Sequence, residues 1–260
     1  MNMDGIAVVK NHQVVSHEDW LIARRSLLAR EKELTRLRDE LNEQRRALPW
    51  ERVTRAYRFG TAAGERTLAQ LFEGRSQLVV YHAMFHPNKA TPRTSWTESA
   101  ACSMCSFWMD HFNGITTHLA ERDVTLIAAS RAPVDAIAAY RQRMGWSFHW
   151  VSTAESDFNG DYGVSLTDEE VANLSGTYNY RSGGHHPISE LPGISVFYRD
   201  AAGDLFHTYS TYGRGLDMLN VAYHYLDLVP KGRDEGDGNG TQWVRRHDEY
   251  GTPRAAAGAR

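Results

Sequence analysis

Two cysteines, Cys102 and Cys105, stand three positions apart in the stretch CSMC, and the 260-residue chain contains no other cysteine. A thiolate is both a nucleophile and a metal ligand, so this spacing allows redox chemistry or half of a zinc site. The pair could also be two small hydrophobic residues that are buried side by side. The chemistry therefore depends on the elements that hold the two sulfur atoms.

The segments on either side of the cysteines favour redox chemistry. The apolar run QLVVYHAMF (77–85) predicts a strand buried on both faces, and the segment after the cysteines, up to residue 120, predicts a helix. Unpaired N–H groups at the start of a helix stabilise a thiolate, so Cys102 is the predicted nucleophile. Cys105, one turn further on, is predicted to stay protonated and then to resolve the mixed disulfide.

The metal alternative is a set of two cysteines and two histidines, formed by Cys102, Cys105, His111 and His118. Zinc fingers separate their two ligand pairs by about 12 residues and space the histidines more tightly. A helix that leads away from the cysteines is also a poor source of four tetrahedral ligands. We therefore predict no metal site, and no cofactor, because thiol–disulfide exchange needs none.

Strand and helix signals alternate through the middle of the chain. Further strands are predicted from VTLIAAS (124–130) and FHWVS (148–152), with a helix at 134–144 between them. ISVFYRD and DLFHTYSTY are joined by a short turn and predict a hairpin, and RGLDMLNVAYHYLDLV predicts a closing helix. This order predicts an α/β fold in which helices flank a mixed central sheet.

Residues 16–46 predict one long amphipathic helix whose N-cap is Ser16. An apolar stripe recurs along it every seven residues, at Trp20, Leu27, Leu34 and Leu41. Because such a stripe needs a cover, we predict a homodimer or a larger homo-oligomer, with the body of the same chain as the competing cover.

Composition limits the classes of function. A hydrophobic content of 42% with 11% aromatics indicates a globular fold, and a net charge of −3 argues against nucleic acid as a partner. No apolar run approaches the roughly 20 residues that a membrane span needs, and the N-terminal residues do not resemble a signal peptide. We therefore predict a cytoplasmic protein that has no membrane partner.

The domain organisation follows from the same features. Residues 1–50 are predicted to form an N-terminal extension that contains the long helix. Residues 51–229 are predicted to form one α/β domain, since this length can bury a full core. Residues 230–260 begin with the polar, glycine-rich stretch PKGRDEGDGNG, which predicts a linker and a C-terminal tail.

Seven further motifs occur together along the chain, namely CSMCSFWMDHFNG, DVTLIAASRAP, YRQRMGW, SDFNGDYGV, PGISVFYRD, FHTYSTYGRGLDMLN and YLDLVPKGRDE. In this combination they resemble the DUF899 family of bacterial thioredoxin-like proteins. The resemblance covers roughly residues 15–252. It implies a thioredoxin-like fold, but it implies no substrate, because a fold hosts many functions.

The wider thioredoxin and peroxiredoxin superfamily suggests substrate-binding residues. LPGISVF resembles the thioredoxin segment that begins with a cis-proline, which implies that Pro192 is cis and contacts the cysteine turn. Trp108, in the cysteine helix, and Arg214, in STYGRG, are the other candidates. Residues 57–85 resemble the opening of a peroxiredoxin, but no proline lies just before Cys102, and Thr97 stands one position too far away.

These observations predict a thiol–disulfide oxidoreductase that acts on a protein or a small-molecule thiol or disulfide. A thiol peroxidase is the nearest enzymatic alternative, with Cys102 oxidised to a sulfenic acid and Cys105 resolving it. The alternative from another class is a non-catalytic protein that binds a ligand or partner between the aromatic residues of SFW and FHTYSTY.

Overall fold

The computed structural model describes residues 12–184, 186–235 and 240–251. Parts of the predicted N-terminal extension and C-terminal tail lie outside these ranges. The strands are, in chain order, β1 (Glu51–Arg52), β2 (Arg58–Thr61), β3 (Gly64–Thr67), β4 (Gln77–His82), β5 (Val124–Ser130), β6 (His149–Ser152), β7 (Thr177–Tyr178), β8 (Arg181–Ser182), β9 (Gly193–Arg199) and β10 (Leu205–Tyr212).

The helices are α1 (His17–Arg46), α2 (Leu68–Leu71), α3 (Ser103–Met109), α4 (Phe112–Ala120), α5 (Val134–Arg143), α6 (Phe158–Asp161), α7 (Asp168–Asn173) and α8 (Val221–Leu226). Short 3₁₀ helices occur at Pro87–Lys89, Gly213–Leu219, Gly240–Trp243 and His247–Glu249. Across the described residues, no helix is both long enough and apolar enough to cross a membrane.

Eight strands form one mixed sheet in the order β1-β10-β9-β4-β5-β6-β2-β3. Strand β4 pairs in parallel with β5, and β5 with β6, whereas β9 is antiparallel to both β4 and β10. Helices cover both faces of the parallel strands, which is why their sequences are continuous apolar runs. The order β5-β4-β9-β10, with α3 following β4, is the thioredoxin-like arrangement, so the predicted fold class is confirmed.

Side chains of β4 alternate between two apolar cores, because successive residues of a strand point to opposite faces. Leu78 and Val80 belong to one core, which also contains Phe158 and Phe197. Tyr81 belongs to the other, together with both cysteines and the tryptophans Trp96, Trp108, Trp146 and Trp150. The cysteines therefore lie on the more aromatic face of the sheet, beside the carboxyl end of a central strand.

Helix α1 forms as the sequence predicts. The Ser16 hydroxyl accepts a hydrogen bond from the Asp19 N–H (3.1 Å) at the predicted N-cap, and the helix ends at Arg46. None of its residues is buried, and Trp20, Leu27, Leu34 and Leu41 are each at least half exposed. The body of the chain thus leaves this apolar stripe uncovered.

Two of the predicted helices are shorter than their sequence patterns indicate. The segment after the cysteines is predicted as one helix, but it breaks at Asp110 and His111 into α3 and α4. The break is stabilised from outside, because Asp110 Oδ1 accepts hydrogen bonds from Trp146 Nε1 (2.9 Å) and interacts with His247 Nδ1 (2.6 Å). The predicted closing helix begins instead with a 3₁₀ helix, and only α8 is α-helical.

The predicted C-terminal tail includes a segment, 240–251, that packs against the α/β domain. Val244 is buried, and Trp243 meets the ring of Phe107 edge-on at 5.5 Å. Arg143 of α5 binds the carboxylates of Asp248 (2.7 Å) and Glu249 (2.9 Å). The glycine-rich stretch before this segment predicts a linker, but its composition gives no sign that the chain returns to the body.

Candidate functional site

A loop leads from the end of β4 to Cys102, which is the N-cap residue of α3. The Cys102 N–H donates to the Met84 carbonyl oxygen (3.0 Å), and this bond fixes the end of the loop to the end of the strand. The Cys102 carbonyl oxygen accepts from both the Ser106 N–H and its hydroxyl, each at 2.9 Å, which starts the helix. Cys102 therefore stands at a helix start, as the sequence predicts.

Both cysteines are free thiols, and both are almost completely buried. The exposed fraction is 0% for Cys102 and 1% for Cys105. Trp96 and Ala101, in the loop before Cys102, are buried in the same core, and Trp96 Nε1 donates to the His86 carbonyl oxygen (3.0 Å). The sequence pattern did not indicate this burial, because the loop is rich in polar residues.

The environment of Cys102 favours its thiolate. Burial alone would raise the pKa of this thiol, but hydrogen bonding from the Cys105 thiol and the Ser95 hydroxyl, with the backbone N–H groups of Cys105 and Met104, outweighs it. Together they lower the pKa of Cys102 from its ordinary value of 9 to about 7. These N–H groups belong to the first turn of α3, whose carbonyl partners are missing in any helix.

The environment of Cys105 has the opposite effect. Burial raises the pKa of the Cys105 thiol well above 9, and the hydrogen bond and negative charge of the neighbouring Cys102 raise it further. The Cys105 sulfur accepts a hydrogen bond from the Met84 N–H (3.3 Å). Tyr81 lies next to the same sulfur, and burial, followed by Cys105, keeps the pKa of its phenol high. The Cys105 thiol therefore keeps its proton at a pH at which the Cys102 thiol has lost its own.

A cavity of about 840 Å³ lies against the cysteine helix. Its apolar lining is supplied by Tyr81, Met84, Met104, Cys105, Trp108, Pro192, Leu216 and Tyr223. Charged side chains also line it, namely Arg214, Asp217, Asp227, Arg233 and Glu235. Cys102 is not one of the lining residues. The cavity thus brings together Cys105 and the three residues that the sequence analysis proposes for substrate binding.

Trp108 and Arg214 differ in how firmly they are held. Trp108 is buried, and its Nε1 donates to the Leu216 carbonyl oxygen (2.9 Å), which ties α3 to the following 3₁₀ segment. The Arg214 side chain is 91% exposed and has a single long contact with Asp217 (3.4 Å). Arg233, in contrast, binds Asp227 with two nitrogen atoms at 2.8 Å each and also contacts Asp217 at 3.2 Å.

The expected cis-proline is not found. Among the described residues every peptide bond is trans, including the bond between Leu191 and Pro192. The prediction that Pro192 lies beside the cysteine turn agrees with its place in the cavity wall, but the predicted cis bond is wrong. The backbone here is held by its neighbours: the Leu191 N–H donates to the Val164 carbonyl (2.8 Å) and the Pro192 carbonyl accepts from the Tyr178 hydroxyl (2.6 Å).

Arg246 is a site residue that no sequence pattern indicates. Its Nε and Nη2 donate to the Ala101 carbonyl oxygen at 3.0 and 2.7 Å, directly before Cys102 in the chain. Glu249 holds the guanidinium in place through a contact of 3.0 Å. Arg246 lies more than 140 residues from Ala101 in sequence, within a segment that looks like a tail, so no local signal could identify it.

The histidines do not join the cysteines. His111 is at the break between α3 and α4, and His118 is in the last turn of α4. Across the described ranges, no group of three or more cysteine, histidine, aspartate or glutamate side chains is arranged to hold a metal ion. Thr97 uses its hydroxyl to accept a hydrogen bond from the Ser99 N–H (3.3 Å), within its own loop.

Several solved structures share part of this architecture at low similarity. A cysteine-to-serine variant of peroxiredoxin Q from Xanthomonas campestris has a TM-score of 0.42 at 12% identity, over 68% of this chain and 98% of its own. Peroxidoxin BcpB from Mycobacterium tuberculosis has a TM-score of 0.40 at 15% identity, over 66% and 93%. The mitochondrial 2-Cys peroxiredoxin from Plasmodium falciparum has a TM-score of 0.39 at 12% identity, over 68% and 93%. Similarity at this level transfers no activity to this chain.

Among curated proteins, none is similar enough in sequence to count as a match. A family model does match, over residues 9–250, which is nearly the whole chain. Its description is "Bacterial protein of unknown function". The match extends from the long N-terminal helix to the docked C-terminal segment and includes both cysteines. The chain therefore belongs to the DUF899 family.

Proposed function

We propose that the protein is a thiol–disulfide oxidoreductase that cycles between a dithiol and a disulfide at Cys102 and Cys105. The observation that carries this proposal is the asymmetric environment of two adjacent thiols at the start of α3. Cys102 is the helix N-cap and receives hydrogen bonds that favour its thiolate, whereas Cys105 keeps its proton. A merely structural pair of buried cysteines would need neither the lowered pKa nor a cavity at its side.

The chemistry divides between the two sulfur atoms. In the reduced state Cys102 supplies the thiolate, and Cys105 supplies the second sulfur and a proton. A disulfide R–S–S–R accepts two electrons from the pair, which leaves a Cys102–Cys105 disulfide and two R–SH molecules. No cofactor is required, because each step is the attack of a thiolate on a disulfide sulfur.

One observation supports a thiol peroxidase as a second candidate. A favoured thiolate at Cys102 with a second thiol beside it is the pair that reduction of a hydroperoxide requires. The Cys102 thiolate would attack one oxygen of a hydroperoxide, giving a sulfenic acid and releasing water or an alcohol. The Cys105 thiol would then condense with the sulfenic acid, releasing water and forming the disulfide.

The homodimer and the cytoplasmic location stay predictions. The exposed apolar stripe of α1 supports the dimer, since Leu34 alone is 67% exposed. The cytoplasmic location is supported by the composition and by the chemistry of a reactive dithiol, which is typical of reducing compartments.

The test is a titration of each thiol by alkylation rate against pH, in the wild type, in Cys102→Ser and in Cys105→Ser. We expect the reactive thiolate of Cys105→Ser to titrate far lower than that of Cys102→Ser. Mass mapping of the oxidised wild type should then show a Cys102–Cys105 disulfide, and turnover with a disulfide should exceed turnover with hydrogen peroxide. Equal, unperturbed titration of the two thiols would contradict the proposal and favour a binding protein.

A further inference from the structure

We infer that the thiol that reduces the oxidised pair is a small molecule with an apolar body, and that it enters the cavity and meets Cys105. The inference rests on the proposed function and adds the class of substrate to it. Three features of the site carry it: the backbone beside Pro192, the form of the cavity, and the position of the two sulfur atoms relative to the cavity wall.

The backbone beside Pro192 is already engaged, so it does not offer a place to an extended polypeptide. A peptide that binds as an added strand needs unpaired N–H and C=O groups along the edge that it joins. Here the Leu191 N–H donates to Val164 and the Pro192 carbonyl accepts from Tyr178. From Gly193 onward, β9 is paired on both sides, with β4 and with β10.

The cavity has the dimensions of a site for a small molecule. Pockets for small ligands have volumes of about 300–1,000 Å³ and are lined mainly by apolar and aromatic side chains, with a few polar groups. This cavity, at about 840 Å³, has Tyr81, Trp108 and Tyr223 in its wall, and all three side chains are buried. Its charged lining includes exposed side chains such as Arg214, which gives the entrance a polar character.

The depth of the cysteines also excludes large substrates. A sulfur atom carried by a polypeptide is only two bonds from the main chain, so the main chain would have to enter with it. Cys105 forms part of the cavity wall and is only 1% exposed, so its sulfur is reached only from inside the cavity, where a main chain would have to fit as well. A small molecule can enter whole, and burial of its apolar body then contributes to binding.

The cavity reaches Cys105 and not Cys102. Met84 and Tyr81 both contact the Cys105 sulfur, and both line the cavity together with Cys105. In the oxidised protein, a thiolate R–S⁻ in the cavity would therefore attack the sulfur of Cys105. The disulfide bond breaks, an R–S–S bond to Cys105 forms, and Cys102 leaves as a thiolate. Leaving is favourable because a thiol of lower pKa is the better leaving group.

A second R–S⁻ completes the reaction. It attacks the sulfur of R in the mixed disulfide, which releases R–S–S–R and leaves Cys105 reduced. Two thiols thus lose two electrons and two protons, and the protein disulfide gains them. The sequence predicts the mixed disulfide on Cys102, whereas the cavity favours Cys105.

The experiment uses the full chain, oxidised to the Cys102–Cys105 disulfide and kept without oxygen. It is mixed separately with benzyl mercaptan, with glutathione and with a polar, unstructured peptide that contains one cysteine. We expect benzyl mercaptan to reduce the protein at least about tenfold faster per thiolate than either other thiol, because its phenyl body is buried in the cavity. An early acid quench followed by mass mapping should place the benzyl group on Cys105.

A pair of variants controls for the cavity. Leu216→Trp places an indole in it and should remove the advantage of benzyl mercaptan over glutathione. Met218→Trp, in the same 3₁₀ helix but 47% exposed and not part of the lining, should change neither rate. If Leu216→Trp does not fold, Arg214→Trp at the exposed side of the cavity serves the same purpose.

The outcomes separate the two proposals. Equal rates for the three thiols, or a benzyl group mapped to Cys102, would overturn the inference and leave the oxidoreductase proposal intact. If no disulfide forms between the cysteines, or if even dithiothreitol fails to reduce it, the proposed function fails, and the inference fails with it. A tenfold preference that Leu216→Trp abolishes supports both.

Discussion

Helix α1 runs for 30 residues without one buried side chain, whereas α3 has seven residues and buries Cys105, Ser106, Trp108 and Met109. The two helices also end differently. Helix α1 ends where its amphipathic sequence pattern ends, with Arg45 and Arg46 in its last turn. Helix α3 ends at Asp110, whose carboxylate contacts Trp146 and His247, both distant in sequence. The first helix depends on local interactions, and the second depends on tertiary contacts.

The difference shows where a sequence pattern is sufficient. In α1 the N-cap, the charges and the periodicity all favour a helix and nothing competes with them. In the cysteine segment the apolar pattern continues through residue 119, yet packing against Trp146 and the C-terminal segment interrupts the helix. A site that requires precise positions is thus determined by contacts that its own segment does not contain.

We expect the largest difference between α3 and α1 when one tryptophan in each helix is replaced with alanine and the free energy of unfolding is measured. Trp108→Ala removes a buried indole and its hydrogen bond to Leu216, and we expect it to lower the free energy of unfolding by about 3–5 kcal/mol. Trp20→Ala, at a side chain that is 52% exposed, should change it by less than about 0.5 kcal/mol at a protein concentration at which the chain is monomeric. Urea unfolding of both variants measures the two values, and similar losses would contradict the contrast.

The parts of the fold that the sequence predicts are those that local patterns determine, and the parts it does not predict depend on tertiary contacts. The strand VTLIAAS is found at Val124–Ser130, because burial on both faces leaves a distinct apolar run. The cysteine pair and its position at a helix start are also visible in the sequence, since spacing and neighbouring patterns determine them. The cavity, the burial of Cys102 and the contact of Arg246 with Ala101 are not visible, because each depends on segments far apart in the chain.

The contact of Arg246 with the cysteine loop provides the next test. Arg246→Ala leaves the buried Ala101 carbonyl without its two charged donors, and we expect a loss of about 1.5–3 kcal/mol in the free energy of unfolding. The matched control is Arg141→Ala, which removes one hydrogen bond of 3.3 Å to the Phe148 carbonyl and should cost less. Equal losses for the two variants would indicate that the contact with Ala101 has no special role.

The thiolate of Cys102 should make stability depend on pH. Its pKa is lowered in the folded protein to about 7 from an ordinary value of 9, so ionisation favours the folded state. The free energy of unfolding of the reduced protein should therefore rise by about 2 kcal/mol from pH 7 to pH 9. As the pH falls through 7, this contribution is lost.

Ionisation of the Cys105 thiol has the opposite effect on the free energy of unfolding. The pKa of Cys105 is raised in the folded state, so its contribution is present below pH 9 and is lost as the pH rises further. Urea unfolding of the reduced wild type against pH, with Cys102→Ser as the control, measures both. The variant should lack the rise between pH 7 and pH 9, and a rise that persists in it would assign the effect to another group.

We expect substitutions in the apolar stripe of α1 to change the stability of the folded chain least. The same substitutions should change the oligomeric state. Leu27 and Leu34 are 55% and 67% exposed, so replacing both with alanine removes almost no packing within the chain. We expect Leu27→Ala with Leu34→Ala to convert a dimer into a monomer in light scattering, with the unfolding midpoint of the body unchanged. The control replaces Arg25 and Lys32, on the opposite side of the helix, with alanine. A monomeric wild type, or a dimer that survives the leucine substitutions, would contradict this role of the stripe. A dimer that dissociates in the control would place the contact on the opposite side of α1.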